Sequence, residues 1–293
     1  TDILSRAISQ GNISHAYLLT GPRGVGKTSV ARILAHAIND LPYDEENTNL
    51  DIIEIDAASN NGVDDVRDLR EKALIAPVAA KKKVYIIDEV HMLSKPAFNA
   101  LLKTLEEPPE HVVFILATTN IEKLPATIVS RTQRFSFRPI SISDTSAHLR
   151  FIADNEQIKI DDEALKLIAL HSDGSFRDSI SLLDQISGLV DSKGTDTITA
   201  DLIENILGLA PAELVNQIIE SIEAHNLEQL VQLLDKSYYN GTDAHILAGQ
   251  LISAIRQQII SKPQLLPLID ALIDVEKSSQ PQMKLLSVLG QAI

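Results

Sequence analysis

A chain of 293 residues is too long for one typical domain, and its 44% apolar content gives it material for two or three. Only 4% of it is aromatic and it has no Trp, so the cores must be built from Leu, Ile, Val and Ala, while the absence of Cys rules out disulfides and Cys-ligated zinc. The net charge of −14 has the wrong sign for a protein that coats nucleic acid by bulk attraction, and no run of about 18 apolar residues exists to span a membrane.

Without cysteines an intracellular, cytoplasmic protein is the simplest expectation, and no signal peptide is expected. Thr1 in place of Met points to a piece of a longer protein. Residues 2–9 could form a short helix. The apolar run Ala16-Tyr17-Leu18-Leu19 reads as a buried strand, and a helical pattern covers 29–38. Between them lies Gly21-Pro22-Arg23-Gly24-Val25-Gly26-Lys27-Thr28, a G-x-x-x-x-G-K-[ST] loop in the strand–loop–helix setting of a phosphate-binding site. Its glycines let the backbone turn so that successive N–H groups face phosphate oxygens. The helix that starts there adds the positive end of its dipole. Lys27 is expected to reach the β and γ phosphates and Thr28 to hold Mg²⁺, with Ser29 in the same nucleotide-binding stretch.

Residues 39–49 are polar and acidic and read as a surface loop. Residues 51–55 alternate like a strand, and 62–76 carry Val66, Leu69, Ala73 and Leu74 at helical spacing up to Pro77. The block Lys81-Lys82-Lys83 reads as a solvated turn. Val84-Tyr85-Ile86-Ile87 and Val112-Val113-Phe114-Ile115-Leu116 suit strands buried on both faces. Between them, 96–105 is helical with Phe98, Leu101, Leu102 and Leu105 on one stripe, and Pro108-Pro109 stops it. Residues 132–137 look like a last, shorter strand. Strands alternating with helices predict a parallel sheet covered on both faces. After Pro139 the pattern is wholly helical, with Ser143 and Asp161 as N-caps and Ile180, Leu183 and Ile186 in register over 176–190. A short helix at 200–207 precedes a boundary at Gly208-Leu209-Ala210-Pro211, and about five more amphipathic helices follow. The expected domains are therefore 1–137, 138–207 and 208–293.

The strand at 84–87 ends in Asp88-Glu89. Asp88 at that tip can orient a metal-bound water, and Glu89 can polarise the water that attacks a γ phosphate. His91, in an Asp-Glu-x-His run, is expected only to pack or hydrogen-bond nearby. The next buried strand ends in Ala117-Thr118-Thr119-Asn120, where Thr119 can bond the attacking water or the γ phosphate, or merely cap the strand. Arg131 follows a short helix, and a lone Arg there is usually solvated or paired. Arg177 stands at a helix start, where its charge opposes the dipole and an anionic partner would explain it. Two such arginines could serve different phosphates, one in the same chain and one in a neighbour.

Residues 15–28, 54–64, 84–94, 98–109, 117–120 and 174–178 together resemble the clamp-loader branch of the AAA+ ATPases, that of bacterial DNA polymerase III in particular. The resemblance implies an AAA+ α/β core, an all-α lid and an all-α collar, with ATP and Mg²⁺ at Lys27, Thr28, Asp88 and Glu89. It makes Thr119 the sensor-1 residue and Arg177 the sensor-2 residue, and gives Arg131 a role in trans on a neighbour's γ phosphate. It implies an ATPase within the polymerase holoenzyme. The partners it implies are delta and delta-prime subunits, further copies of the chain's own kind, a ring-shaped sliding clamp and primer–template DNA, with no membrane. The intact phosphate loop separates the chain from delta-prime subunits. Thr132 stands where the family's motif has Cys. Residues 40–50 replace the family's zinc-binding cysteines without Cys or His, so no zinc is expected. The family's adenine-packing segment would lie before Thr1. The helix start at Lys95-Pro96 is expected to face the DNA backbone, unless Lys95 is only solvated beside a cap. Two other classes compete: a scaffolding protein, and another AAA+ DNA motor such as a branch-migration helicase. The second would need a winged DNA-binding domain, which the acidic, Leu/Ile-rich tail does not resemble.

Overall fold

The structure, a computed structural model, describes residues 4, 6, 10–43, 49–190 and 197–293. The expected helix at 2–9, apart from Leu4 and Arg6, and residues 44–48 of the acidic loop lie outside the described residues. The chain divides into two compact units, one from Thr1–His148 and Ala169–Leu182, the other from Leu149–Ile168 and Leu183–Ile293.

The first unit is built on five parallel strands: β1 (Ala16–Thr20), β2 (Ile52–Asp56), β3 (Lys83–Asp88), β4 (Val112–Thr118) and β5 (Gln133–Ser136). Their order is β2-β3-β4-β1-β5. The three inner strands are the continuous apolar runs, buried on both faces, whereas β2 and β5 form the edges and carry Glu54, Asp56, Gln133 and Arg134. Side chains alternate between two cores. Tyr17, Leu19, Ile86 and Ile115 meet Ala31, Leu34 and Ile38 of α1 (Lys27–Ile38) on one face. Leu18, Tyr85, Ile87, Phe114 and Leu116 meet Val66 and Leu69 of α2 (Val63–Ala73) and Phe98, Leu101 and Leu105 of α3 (Lys95–Glu106) on the other. A single turn of helix, α4 (Ala126–Val129), precedes β5.

Helix α2 ends at Ala73, not near Pro77, and Leu74 is exposed rather than part of its buried stripe. Two residues outside the helix account for this. Lys83 Nζ donates to Lys72 O at 2.9 Å and Ile75 O at 3.3 Å, satisfying carbonyls at the helix end. Asp51 takes the N–H groups of Val78, Ala79 and Ala80, which turns the chain out of the helix. Lys83 is accordingly buried in β3 and is not part of a solvated turn.

Helices α5 (Ile142–Asn155), α6 (Asp162–His171) and α7 (Phe176–Val190) follow. The cap of α5 is Ser141, whose Oγ accepts from Asp144 N at 3.1 Å, so Ser143 lies inside the first turn. Asp161 caps α6 as expected, accepting from Ala164 N at 2.6 Å. In the second unit, after α8 (Ala200–Leu207), come α9 (Ala212–Glu223), α10 (Leu227–Tyr239), α11 (Ala244–Gln258), α12 (Leu266–Ile273) and α13 (Pro281–Gln291). Ile218, Leu230, Leu247, Leu251, Leu272 and Leu285 are fully buried among them. Among the described residues no helix is long and apolar enough to cross a membrane.

Candidate functional site

The phosphate loop joins β1 to α1 at the carboxyl end of the sheet. Gly21, Gly24 and Gly26 all have positive φ, of 148°, 73° and 87°. Two of them also permit close approach. A Cβ on Gly21 would lie 2.5 Å from Phe137 O, and one on Gly24 would collide with Ser175 Oγ. The loop tip is thus fastened to the start of α7, where Arg177 N donates to Gly24 O at 3.3 Å. Pro22, Arg23 and Ser29 are exposed, while Val25 is buried beneath the loop.

Lys27 is buried, and its Nζ donates to Pro22 O at 2.7 Å and Gly21 O at 3.0 Å. Burial pushes its pKa down, and the charges of Glu89 and Asp88 work against that shift. Thr28 Oγ1 donates to Asp88 Oδ2 at 2.6 Å. Asp88 Oδ1 in turn accepts from Glu89 N at 2.8 Å. Glu89 sits in the left-handed region at φ 44°. Its Oε2 accepts from Thr119 Oγ1 at 3.0 Å and Thr119 N at 3.2 Å.

Lys27, Thr28, Asp88, Glu89 and Thr119 therefore come together in one place. Thr119 reaches it because β3 and β4 run side by side with Ile87 opposite Leu116, so their tips adjoin. Its hydroxyl is committed to Glu89 here. Arg177 enters the site through its backbone, and among the described residues neither its side chain nor that of Arg23 has a hydrogen-bond or ion-pair partner. Arg131 stands apart from this group. Its Nη1 donates to Thr127 O at 3.0 Å and its Nη2 lies 2.9 Å from Glu106 Oε1. Lys95 is the exposed first residue of α3, behind the cap Ser94, whose Oγ accepts from Ala97 N at 3.3 Å.

Sequence reasoning missed two features. One is the joint between Gly24 and Ser175, for which the only local signal was the Gly-Ser before Phe176. The other is the placement of His91, whose Nδ1 lies 3.0 Å from Thr118 Oγ1 and 3.2 Å from Glu89 Oε2. Hydrogen bonding near the site was expected of His91; contact with the Glu89 carboxylate was not.

The family profile described as DNA polymerase III, delta subunit, matches residues 1–141, and that of the DNA polymerase III clamp loader subunit, ATPase lid domain, matches 144–187. DNA polymerase III subunit gamma of Buchnera aphidicola is 36% identical over 288 residues, covering 94% of this chain and 78% of that protein. The chain belongs to the DNA polymerase III gamma/tau family. DNA polymerase III subunit tau of Bacillus subtilis is 43% identical over 276 residues, 89% of this chain and 48% of that protein, so the chain spans about half the length of this gamma/tau relative. The RuvB Holliday junction branch migration motor of Thermotoga maritima superposes with a TM-score of 0.57 at 23% identity, over 79% of this chain and 78% of that one. That likeness shows the fold alone: a parallel sheet flanked by helices, followed among the described residues by mostly helical segments.

The residues present fit a nucleotide with its metal. The positive-φ glycines leave a turn of backbone that a Cβ would fill or distort. The Thr28 hydroxyl and Asp88 carboxylate are adjacent oxygen donors of the kind Mg²⁺ takes together with phosphate.

Proposed function

We propose that this chain is an ATP-hydrolysing subunit of a bacterial DNA polymerase III clamp loader, coupling nucleotide binding and hydrolysis to loading of the sliding clamp onto primed DNA. The observation that carries this reading is the gathering of Lys27, Thr28, Asp88, Glu89 and Thr119 at adjoining strand tips. The loop backbone and Lys27 bind the β and γ phosphates. Thr28 and Asp88 hold Mg²⁺, which when bound neutralises charge on the phosphate oxygens. Glu89 orients and polarises the attacking water, and Thr119 fixes Glu89. Arg177 reads the nucleotide of its own chain, and Arg131 completes the site of a neighbour.

On this reading residues 1–137 form the ATPase core, 138–207 the lid and 208–293 an oligomerisation collar. The partners are delta and delta-prime subunits, further gamma/tau copies, the clamp and primer–template DNA, with Lys95 facing the DNA backbone, in the cytoplasm and without zinc. A branch-migration motor is disfavoured because the curated relatives that match along most of the chain are named as DNA polymerase III subunits. The test is ATP hydrolysis by the full-length chain assembled with its partners, with clamp and primed DNA added. Stimulated hydrolysis that disappears with Lys27→Ala is expected. Clamp loading that survives Lys27→Ala in every copy would instead make the chain a scaffold.

A further inference from the structure

The Asp-Glu-x-His run leaves one side chain without a role in the reading above. His91 is almost enclosed, with its side chain 10% exposed, and its Nδ1 faces two oxygens at once, Thr118 Oγ1 at 3.0 Å and Glu89 Oε2 at 3.2 Å. The proton on that ring can be assigned by its surroundings. If Nδ1 were the bare nitrogen, its lone pair would face the Glu89 carboxylate at hydrogen-bonding distance, a repulsive contact. If Nδ1 carries the proton, both contacts become favourable. Thr118 Oγ1 already accepts from Asn120 N at 3.0 Å, which leaves Glu89 as the charged and stronger acceptor.

We propose that His91 is a positioning residue for Glu89, with its Nδ1–H serving as a third donor on Oε2 beside the N–H and hydroxyl of Thr119. Three donors on one oxygen leave Oε1 as the carboxylate oxygen that faces a water. They also hold a side chain whose backbone, at φ 44°, is itself in an uncommon conformation. This inference rests on the reading of Glu89 as the residue that polarises the attacking water.

The experiment uses the full-length chain assembled with its clamp-loader partners, and measures steady-state ATP hydrolysis with clamp and primed DNA. An Asn amide places a donor where Nδ1 stands, whereas a Gln amide reaches to the position of Nε2. His91→Ala and His91→Gln are expected to lower kcat about tenfold with KM unchanged, and His91→Asn to remain within about threefold of the parent, in line with one hydrogen bond to a charged group. If the Ala variant fails to fold, the Asn–Gln pair carries the comparison alone. Equal rates for Asn and Gln, or kcat and KM moving together, would overturn the proposal. Glu89→Gln run alongside separates the two levels. Undiminished hydrolysis there removes the reading of Glu89 itself, and with it the basis of the proposal. Lost hydrolysis there with no Asn–Gln difference removes only the role of His91.

Discussion

Thr28 Oγ1 donates to Asp88 Oδ2 across 2.6 Å, tying the first turn of α1 to the tip of β3. A hydroxyl and a carboxylate at that separation can instead both turn their oxygens to a divalent cation. Asp88→Asn keeps the shape and removes the charge. Titration of an ATP analogue with and without Mg²⁺ should show affinity of the parent rising with the metal and that of the variant barely responding. The deficit in the presence of Mg²⁺ should be about tenfold or more, the scale of one charge-assisted contact. An equal metal response in both proteins would make the pair a structural clasp and nothing more.

Gly24 and Ser175 make a second long-range joint. Gly24 has φ 73°, and a Cβ there would run into Ser175 Oγ. Gly24→Ala should therefore cost about 1–2 kcal/mol for the left-handed backbone, plus the clash. Ser175→Ala alone should cost about 1 kcal/mol, because Ser175 Oγ accepts from Asp178 N at 3.2 Å at the start of α7. Combined, the two changes should be less damaging than their sum, since the second removes the atom that the first strikes. Thermal melting of the single and double variants checks this. Strict additivity would mean that the loop tip does not rest on α7.

How far the sequence reveals this molecule depends on how local each feature is. Strands β1, β3 and β4 are legible because burial on both faces writes an unbroken apolar run. The phosphate loop and Asp88 are legible because a short motif carries their chemistry. The end of α2 is not, because Leu74 continues the helical pattern while Asp51, far away in sequence, and Lys83, in the next strand, claim the backbone around it. The hold of Thr119 on Glu89 is hidden for a similar reason, since it requires the register of β3 on β4. The trans role proposed for Arg131 depends on a neighbouring subunit, and neither the sequence nor one chain displays it.

Asp51 offers a test by pH. Its carboxylate is fully buried and accepts from Ala79 N at 2.7 Å and from Val78 N and Ala80 N, each at 2.8 Å. Burial by itself raises its pKa. The three backbone donors and the Lys83 charge outweigh that and hold it below the ordinary 3.8. A carboxyl lowered in the folded state stabilises fully above its unfolded value, and that contribution fades as pH falls through the folded value. Asp51→Asn should lower stability by about 1–3 kcal/mol at pH near neutrality. In denaturant melts the gap to the parent should be unchanged at mildly acidic pH and should narrow only below the ordinary carboxyl range. A gap that persists or widens there would show that the ionised carboxylate is not what fixes this turn.

Arg131 is held by Thr127 O at 3.0 Å and by Glu106 Oε1 at 2.9 Å, in an ion pair whose side chains are 35% and 49% exposed. An exposed pair of this kind is worth at most about 1 kcal/mol, so it orients the guanidinium without preventing its transfer to a phosphate. An arginine completing a neighbour's site is worth about 10³–10⁵ in rate in related phosphoryl-transfer systems. The two energies differ enough to predict the outcome of mixing. Arg131→Ala copies added to assemblies should silence hydrolysis in adjacent parent copies while binding their own nucleotide normally. Lys27→Ala copies should fail in their own site and leave the neighbours active. Glu106→Gln should change rates by no more than about fivefold, the ceiling set by a surface ion pair. Per-site nucleotide binding with a fluorescent analogue, together with hydrolysis across a series of mixing ratios, separates these cases. A reversal of the Arg131 and Lys27 patterns would assign Arg131 to its own chain.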